Sequence, residues 1–424
     1  MRSTQHLFNW TCAGVLSLMV LRSMATEASK VAPLVKANTA FAMQLYSKVS
    51  VSQSNVVVSP YSVASALAMT CAGARGQTAR QMEQALHFPT DTKALHDSFS
   101  RLDAVLSAAR TNGVELDIAN SLWPQNGDAF RAEFIDLLRQ DYRATVTPLD
   151  YVHQREQARA TINQWVDEKT HHKITAAIPP NTLSRLTSLV LVNAIYFKGE
   201  WDTAFPAHAT RPDQFYPFPG KAITTPFMRV EGHFQFGEDE DLQWLALPYK
   251  GNRFQMVILL PRAGGIMERE FGSAGRGNGK RQRGSDTLEG LERVLNPAKF
   301  AAWTAALRSQ KVAVIIPKFR ISWGLRLNGA LQGLGVRDAF NPERADFAGM
   351  DGRPHRLYLS DVLHQTFIDV SEKGTEAAAA SAMAMTKSSP AMFYADHPFL
   401  FFIRESATGS ILFMGRLADP HGER

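Results

Sequence analysis

The chain is poor in cysteine, with two among 424 residues. Cys12 lies in an apolar opening stretch, and Cys71 in an Ala/Met-rich helical pattern that suits a buried thiol. A mature chain without that opening has no disulfide, so its stability must rest on core packing. Long apolar runs are also missing. Beyond residue 25 nothing approaches the roughly 18 uninterrupted apolar residues of a membrane-crossing helix. Internal repeats and long linkers are absent too, which argues for one domain.

The signatures of catalysis are missing as well. There is no Gly-x-Ser-x-Gly elbow and no His-Glu-x-x-His zinc helix. Gly275-Arg276-Gly277-Asn278-Gly279-Lys280 imitates a phosphate loop, but Ala274 stands where its first glycine belongs and no Ser or Thr follows the lysine. His171-His172 has no ligand partners at metal-site spacing, and His208, His233, His355 and His364 are scattered. The chain therefore reads as a binder or inhibitor, not an enzyme, with no cofactor and no metal. The formal net charge of +6, from 46 basic and 40 acidic side chains, is too mild to imply nucleic acid.

What is present begins with Arg2 and His6 before Val15–Leu21 and the small-x-small triplet Ser23-Met24-Ala25. Residues 1–25 read as a secretory signal that carries the one glycosylation sequon, Asn9-Trp10-Thr11; an uncleaved anchor or a cytosolic start is the alternative. Amphipathic spacing predicts helices at 36–50, 62–72, 78–87, 92–110 and 154–170, with others at 287–307 and 325–334. Leu189–Phe197 has almost no polar relief and predicts a strand buried on both faces. Further strands are expected at 55–58, 116–123, 226–236, 242–249, 253–260, 312–316, 357–364, 399–404 and 410–415.

Two stretches resist this pattern. Between 262 and 283 there are six basic side chains against two acidic, a net +4, in a Gly/Arg-rich insertion reaching residue 286. It reads as a tolerated surface loop; the functional alternative is a polyanion contact through Arg276, Lys280, Arg281 and Arg283. The other stretch is Glu372-Lys373-Gly374-Thr375-Glu376, then Ala377, Ala378, Ala379 and Ala380, then Ser381 to Met385. It reads either as an exposed low-complexity loop or as a latent strand. In a strand, Thr375, Ala377, Ala379, Ser381, Met383 and Met385 share one face that is small or apolar throughout.

A set of motifs in fixed order decides between these readings. It runs through Ser59-Pro60-x-Ser62, Gly73-Ala74-Arg75-Gly76, Ala119-Asn120-x-Leu122 and Ile162-Asn163-x-Trp165-Val166. It continues with Leu189–Gly199-x-Trp201, Leu247-Pro248-Tyr249, Pro317-Lys318-Phe319, Ala345-Asp346-Phe347-x-Gly349-Met350 and Asp396-His397-Pro398-Phe399. From about residue 37 to 420 the chain resembles the serpin family. The resemblance implies an α+β fold, one domain over 26–424 with three β-sheets, about nine helices and an exposed reactive-centre loop at 372–396. It also implies inhibition of a serine protease by a suicide mechanism: the protease attacks the loop, and the cleaved loop enters the large sheet as a strand before the acyl-enzyme resolves.

The remaining roles follow by resemblance. Glu372, Gly374, Thr375, Glu376 and Ala377–Ala380 correspond to the hinge. Ser59, Ser62, Asn193 and His364 correspond to the polar cluster controlling strand separation, Trp201 to the point where insertion begins, and Lys318 with Glu372 to a charge pair above it. Two intervals place the scissile bond differently, at Lys387–Ser388 or at Ser388–Ser389. Lys387 is favoured and suits a trypsin-like target, whereas Ser388 suits an elastase-like or subtilisin-like one. The expected state is a secreted monomer, with non-inhibitory carriage or chaperoning as the other serpin role.

Overall fold

The structure, a computed structural model, describes residues 5–50, 54–89, 91–110, 113–127, 129–218, 220–262, 288–375 and 390–422. The chain opens with helix α1 (Gln5–Val49), strand β1 (Val56–Val58), and helices α2 (Pro60–Gly73), α3 (Gly76–Leu86) and α4 (Thr92–Ala108). Strand β2 (Val114–Pro124), helix α5 (Ala132–Asp141), strand β3 (Thr145–Val146) and helix α6 (Arg155–Lys169) follow. Five strands come next: β4 (Leu189–Glu200), β5 (Arg211–Phe218), β6 (Lys221–Glu238), β7 (Leu242–Pro248) and β8 (Phe254–Pro261). Then come α7 (Leu288–Val294), α8 (Pro297–Ala305), β9 (Arg308–Pro317), β10 (Phe319–Arg326), α9 (Asn328–Gly333) and α10 (Ala348–Asp351). The chain closes with β11 (Leu359–Val370), β12 (Gly374–Thr375), β13 (Ala391–Tyr394), β14 (Phe399–Glu405) and β15 (Ile411–Leu417).

The apolar run at 189–197 forms β4, and each of its residues through Phe197 is buried. Period two sorts them. Leu189, Leu191, Ile195 and Phe197 join the main core, while Val190, Val192 and Ala194 join a second core with Ile162 and Val166 of α6. One sheet therefore carries a helix layer on each face, which explains the lack of polar relief in β4. On the main-core side sits α2, buried at every residue but one, as a helix apolar all round must be. Ser59 caps it, its hydroxyl accepting from the Ser62 amide at 3.3 Å, and Pro60 occupies the first turn.

The six-stranded sheet runs β10-β11-β4-β2-β3, with β12 added to β4. A nine-stranded network runs β1-β15-β14-β8-β7-β6-β9-β13, with β5 paired to β6. The three expected sheets appear as two networks because the 18-residue β6 continues from one into the next. It pairs with β5 and β9 along most of its length and with β7 only over Gln235–Glu238.

Three expected elements differ. The first helix begins at Gln5, well ahead of 36. The helix expected over 287–307 is two, because the Asn296 side chain accepts from the Lys299 amide at 3.0 Å and Pro297 starts a fresh first turn. Residues 325–326 belong to β10, whose eight residues all pair with β11, so only Asn328–Gly333 is helical there.

Candidate functional site: the fork between β4 and β11

Strands β4 and β11 are parallel neighbours from Leu189↔Leu359 to Tyr196↔Phe367, and there their pairing stops. Beyond that rung β11 continues to Val370, pairing only with β10, and then turns back. The turn closes with the Ser371 amide donating to the Gly374 carbonyl at 2.9 Å and the Gly374 amide donating to the Ser371 carbonyl at 3.1 Å. Gly374 and Thr375 then lie antiparallel on the end of β4, opposite Glu200 and Gly199. The chain thus enters the mouth of the fork already running antiparallel to both prongs. Gly374 is required there: its φ is +133°, and a Cβ would run into the Gly199 carbonyl and the Glu200 Cα.

The root of this turn is held by the segment after β4. The Trp201 and Phe205 amides donate to the carbonyls of Lys373 (2.9 Å) and Glu372 (2.8 Å), and Trp201 Nε1 donates to the Ser371 carbonyl (3.0 Å). Trp201 is itself fixed by stacking on Tyr249, with centroids 4.5 Å apart and planes 13° apart. The Glu372 carboxylate meets Lys318 Nζ at 2.9 Å and accepts from the Thr210 hydroxyl at 2.9 Å. Burial pushes that carboxyl up, but the Lys318 contact, a backbone amide and Thr210 together hold it below the usual range.

Deeper in the sheet the two prongs are tied by a buried polar chain. Asn120, Asn193 and His364 are Cα partners across β2, β4 and β11. The Ser59 amide donates to His364 Nε2 at 2.9 Å, which leaves Nδ1–H to donate to Asn193 Oδ1 at 2.6 Å. Burial without a charge partner pushes the His364 imidazole down to about 3, so it is neutral, as this arrangement requires. Asn193 Nδ2 donates to the Asn120 carbonyl oxygen Oδ1 at 2.6 Å and to the Ser62 backbone carbonyl at 3.2 Å, and it also touches the Ser62 hydroxyl. Asn120 Nδ2 passes the chain on to the Ser65 hydroxyl at 3.3 Å. In a water-excluding core each of these bonds is costly to leave unmade.

The description "Serpin (serine protease inhibitor)" belongs to the family model that matches residues 36–420. The chain belongs to the serpin family. Human leukocyte elastase inhibitor is 37% identical over 399 residues, covering 91% of this chain and 99% of that protein. A serpin-like protein of Thermococcus kodakarensis is 36% identical, covering 92% and 86%. Among solved serpins, Serpin48 of Tenebrio molitor superposes with a TM-score of 0.76 at 31% identity, over 91% of this chain and 98% of its own. Human thyroxine-binding globulin complexed with thyroxine superposes with 0.81 at 26% identity, over 93% and 100%.

Of the residues singled out in the sequence, Ser59, Ser62, Asn193 and His364 meet in one network, and Trp201, Lys318, Glu372 and Gly374 meet at the root of the turn. Glu376, Ala377–Ala380, Lys387, Ser388 and Ser389 lie outside the described residues, as do Arg276, Lys280, Arg281 and Arg283. Sequence reasoning missed Asn120, Ser65 and Thr210. Asn120 was visible inside a motif; nothing local marks Thr210 as a partner of Glu372, 162 positions away.

Proposed function

We propose that this serpin is a suicide-substrate inhibitor of a serine protease, which cleaves the reactive loop and is trapped as that loop enters the fork. The observation that carries the reading is the two-residue strand β12. Continuing its register down β4 would set Glu376 beside Lys198, Ala379 beside Ile195, Ser381 beside Asn193, and Met385 beside Leu189, where β4 begins. The small-residue stretch thus matches the length of the prong it would pair with. Thr375, Ala377, Ala379, Ser381, Met383 and Met385 would all point with Ile195 and Phe197 towards α2, where a charged side chain would cost several kcal/mol, or about 2–7 for an unpaired polar group. Each new ladder bond contributes about 0.5–1.5 kcal/mol, and a strand between two prongs makes them on both edges.

In this reading Asn193, His364, Ser59 and Ser62 regulate parting of the prongs, because an entering strand must break the 2.6 Å bond between His364 and Asn193. Lys318, Glu372 and Trp201 hold the turn until cleavage. Lys387–Ser388 is the favoured scissile bond, which points to a trypsin-like target; Ser388–Ser389 would point to an elastase-like or subtilisin-like one. The protein acts after export, directed by residues 1–25, and its basic 262–286 insertion offers a polyanion contact.

The test is titration with trypsin-like, elastase-like and subtilisin-like proteases. An SDS-resistant complex with one of them is expected, with the released fragment giving the bond by mass. Clean cleavage by every protease, with no complex, would reject inhibition. The likeness to thyroxine-binding globulin favours a second reading, a carrier; it expects loop cleavage without any rise in melting temperature.

A further inference from the structure

The turn that follows α6 carries strain at the tip of the fork. His171 and His172 are consecutive non-glycine residues in the left-handed region, with φ of 50° and 61°. Such residues persist only where their surroundings over-determine them. Here the surroundings are explicit. The Thr170 hydroxyl accepts from the Ile174 amide at 3.2 Å, the His172 amide donates to the Asp167 carbonyl at 2.8 Å, and Asp167 Oδ2 meets His172 Nδ1 at 2.7 Å.

The strained turn places a side chain on each prong. The His171 ring lies on Tyr196 of β4, centroids 4.4 Å apart, and its Nε2 meets Asp117 Oδ2 of β2 at 2.9 Å. Lys173 Nζ stands 5.7 Å from the ring centroid of Phe367 on β11, and Arg320 of β10 lies 5.9 Å from the same ring. Tyr196 and Phe367 are the last rung at which β4 and β11 pair. A strand entering from the mouth must part this rung first, and His171 and Lys173 cannot then keep hold of both.

We propose that residues 170–174 form a clip across the last β4–β11 rung, and that His171 and Lys173 set how readily the prongs part. The consequence for trapping rests on the inhibitory reading above; the clip itself does not. It belongs to the uncleaved protein and acts before any protease is present.

The experiment is amide hydrogen exchange on the uncleaved full chain, following peptides that cover 194–198 and 365–369. His171→Gln and Lys173→Met keep side-chain bulk while removing the ring and the charge. Each should quicken exchange there roughly two- to fivefold, and the pair about tenfold, on the scale of cation–π and ring contacts. Exchange in β14 and β15 should stay as in the wild type. Should the double variant not fold, Lys173→Met alone carries the test. Unchanged exchange at both peptides in a folded variant would overturn the clip. Failure of the wild type to form any covalent complex would sink the inhibitory reading and leave the exchange result standing.

Discussion

At the scale of single residues, two buried titratable groups on β11 pull stability in opposite directions with pH. Burial lowers the His364 imidazole to about 3, so as pH falls the unfolded chain takes up its proton first, near the ordinary value of about 6.5. The stability it holds is complete above that pH and drains away towards 3. Asp361 is the reverse case. Burial outweighs its contact with Arg326 and raises its carboxyl to about 6, so stability is full at acidic pH and is lost as pH rises through 6. Asp361→Asn should therefore raise the melting temperature at pH 8, by an amount on the order of 1–3 kcal/mol in stability, and change little near pH 4. Calorimetry at the two pH values checks this; equal shifts at both would mean that Asp361 is not the titrating group. Glu372→Gln removes the half-buried charge facing Lys318, whose own side chain is more exposed, for a loss of about 1 kcal/mol or less. Its larger expected effect is kinetic. The turn 371–374 should open sooner on mild heating, and, if the protein inhibits as proposed, the variant should lose its inhibitory titre before it unfolds.

At the scale of elements, the prediction concerns the face of the entering strand. Ala379→Glu would bury a carboxylate between Ile195 and Thr366, on the face of β4 that packs into the main core. Cleavage by the target should proceed at the wild-type rate while covalent complex falls at least tenfold, seen as a rise in inhibitor consumed per protease. Undiminished complex would refute the register extended from Gly374↔Glu200. How much of this was legible in the sequence differs from element to element. β4 announced itself because burial on both faces leaves an unbroken apolar run. The break between α7 and α8 was written in Asn296-Pro297, and a helix drawn over 287–307 ignored it. β10 was missed because its alternation of buried Phe319 and Ile321 with exposed Arg320 is short and its partner, β11, is remote in sequence, from Arg326↔Leu363 to Phe319↔Val370. The fork itself has no local signal. It exists because residues 189–196 and 359–367 are parallel neighbours, a long-range pairing that periodicity cannot report and that only the ordered family motifs conveyed.

At the scale of the whole molecule, the two ends of the proposed reactive loop are anchored in different sheets. Upstream it leaves β12 on the six-stranded sheet, and downstream it re-enters as β13, parallel to β9 in the nine-stranded network. The segment after β13 also supplies β14, between β8 and β15, and β15, between β14 and β1, with Phe399–Ile403 fully buried. Covalent continuity and structural continuity are therefore separate properties of this protein. A protease that severs the loop makes two polypeptides, yet the smaller one forms the middle of a sheet and cannot diffuse away without dismantling it. The nicked protein should elute as one species on gel filtration under native conditions and divide into a large and a small fragment only in SDS. Spontaneous release of the small fragment in buffer would contradict the interior position of β14. What is cut is thus only a tether, and the freedom gained belongs wholly to the upstream end.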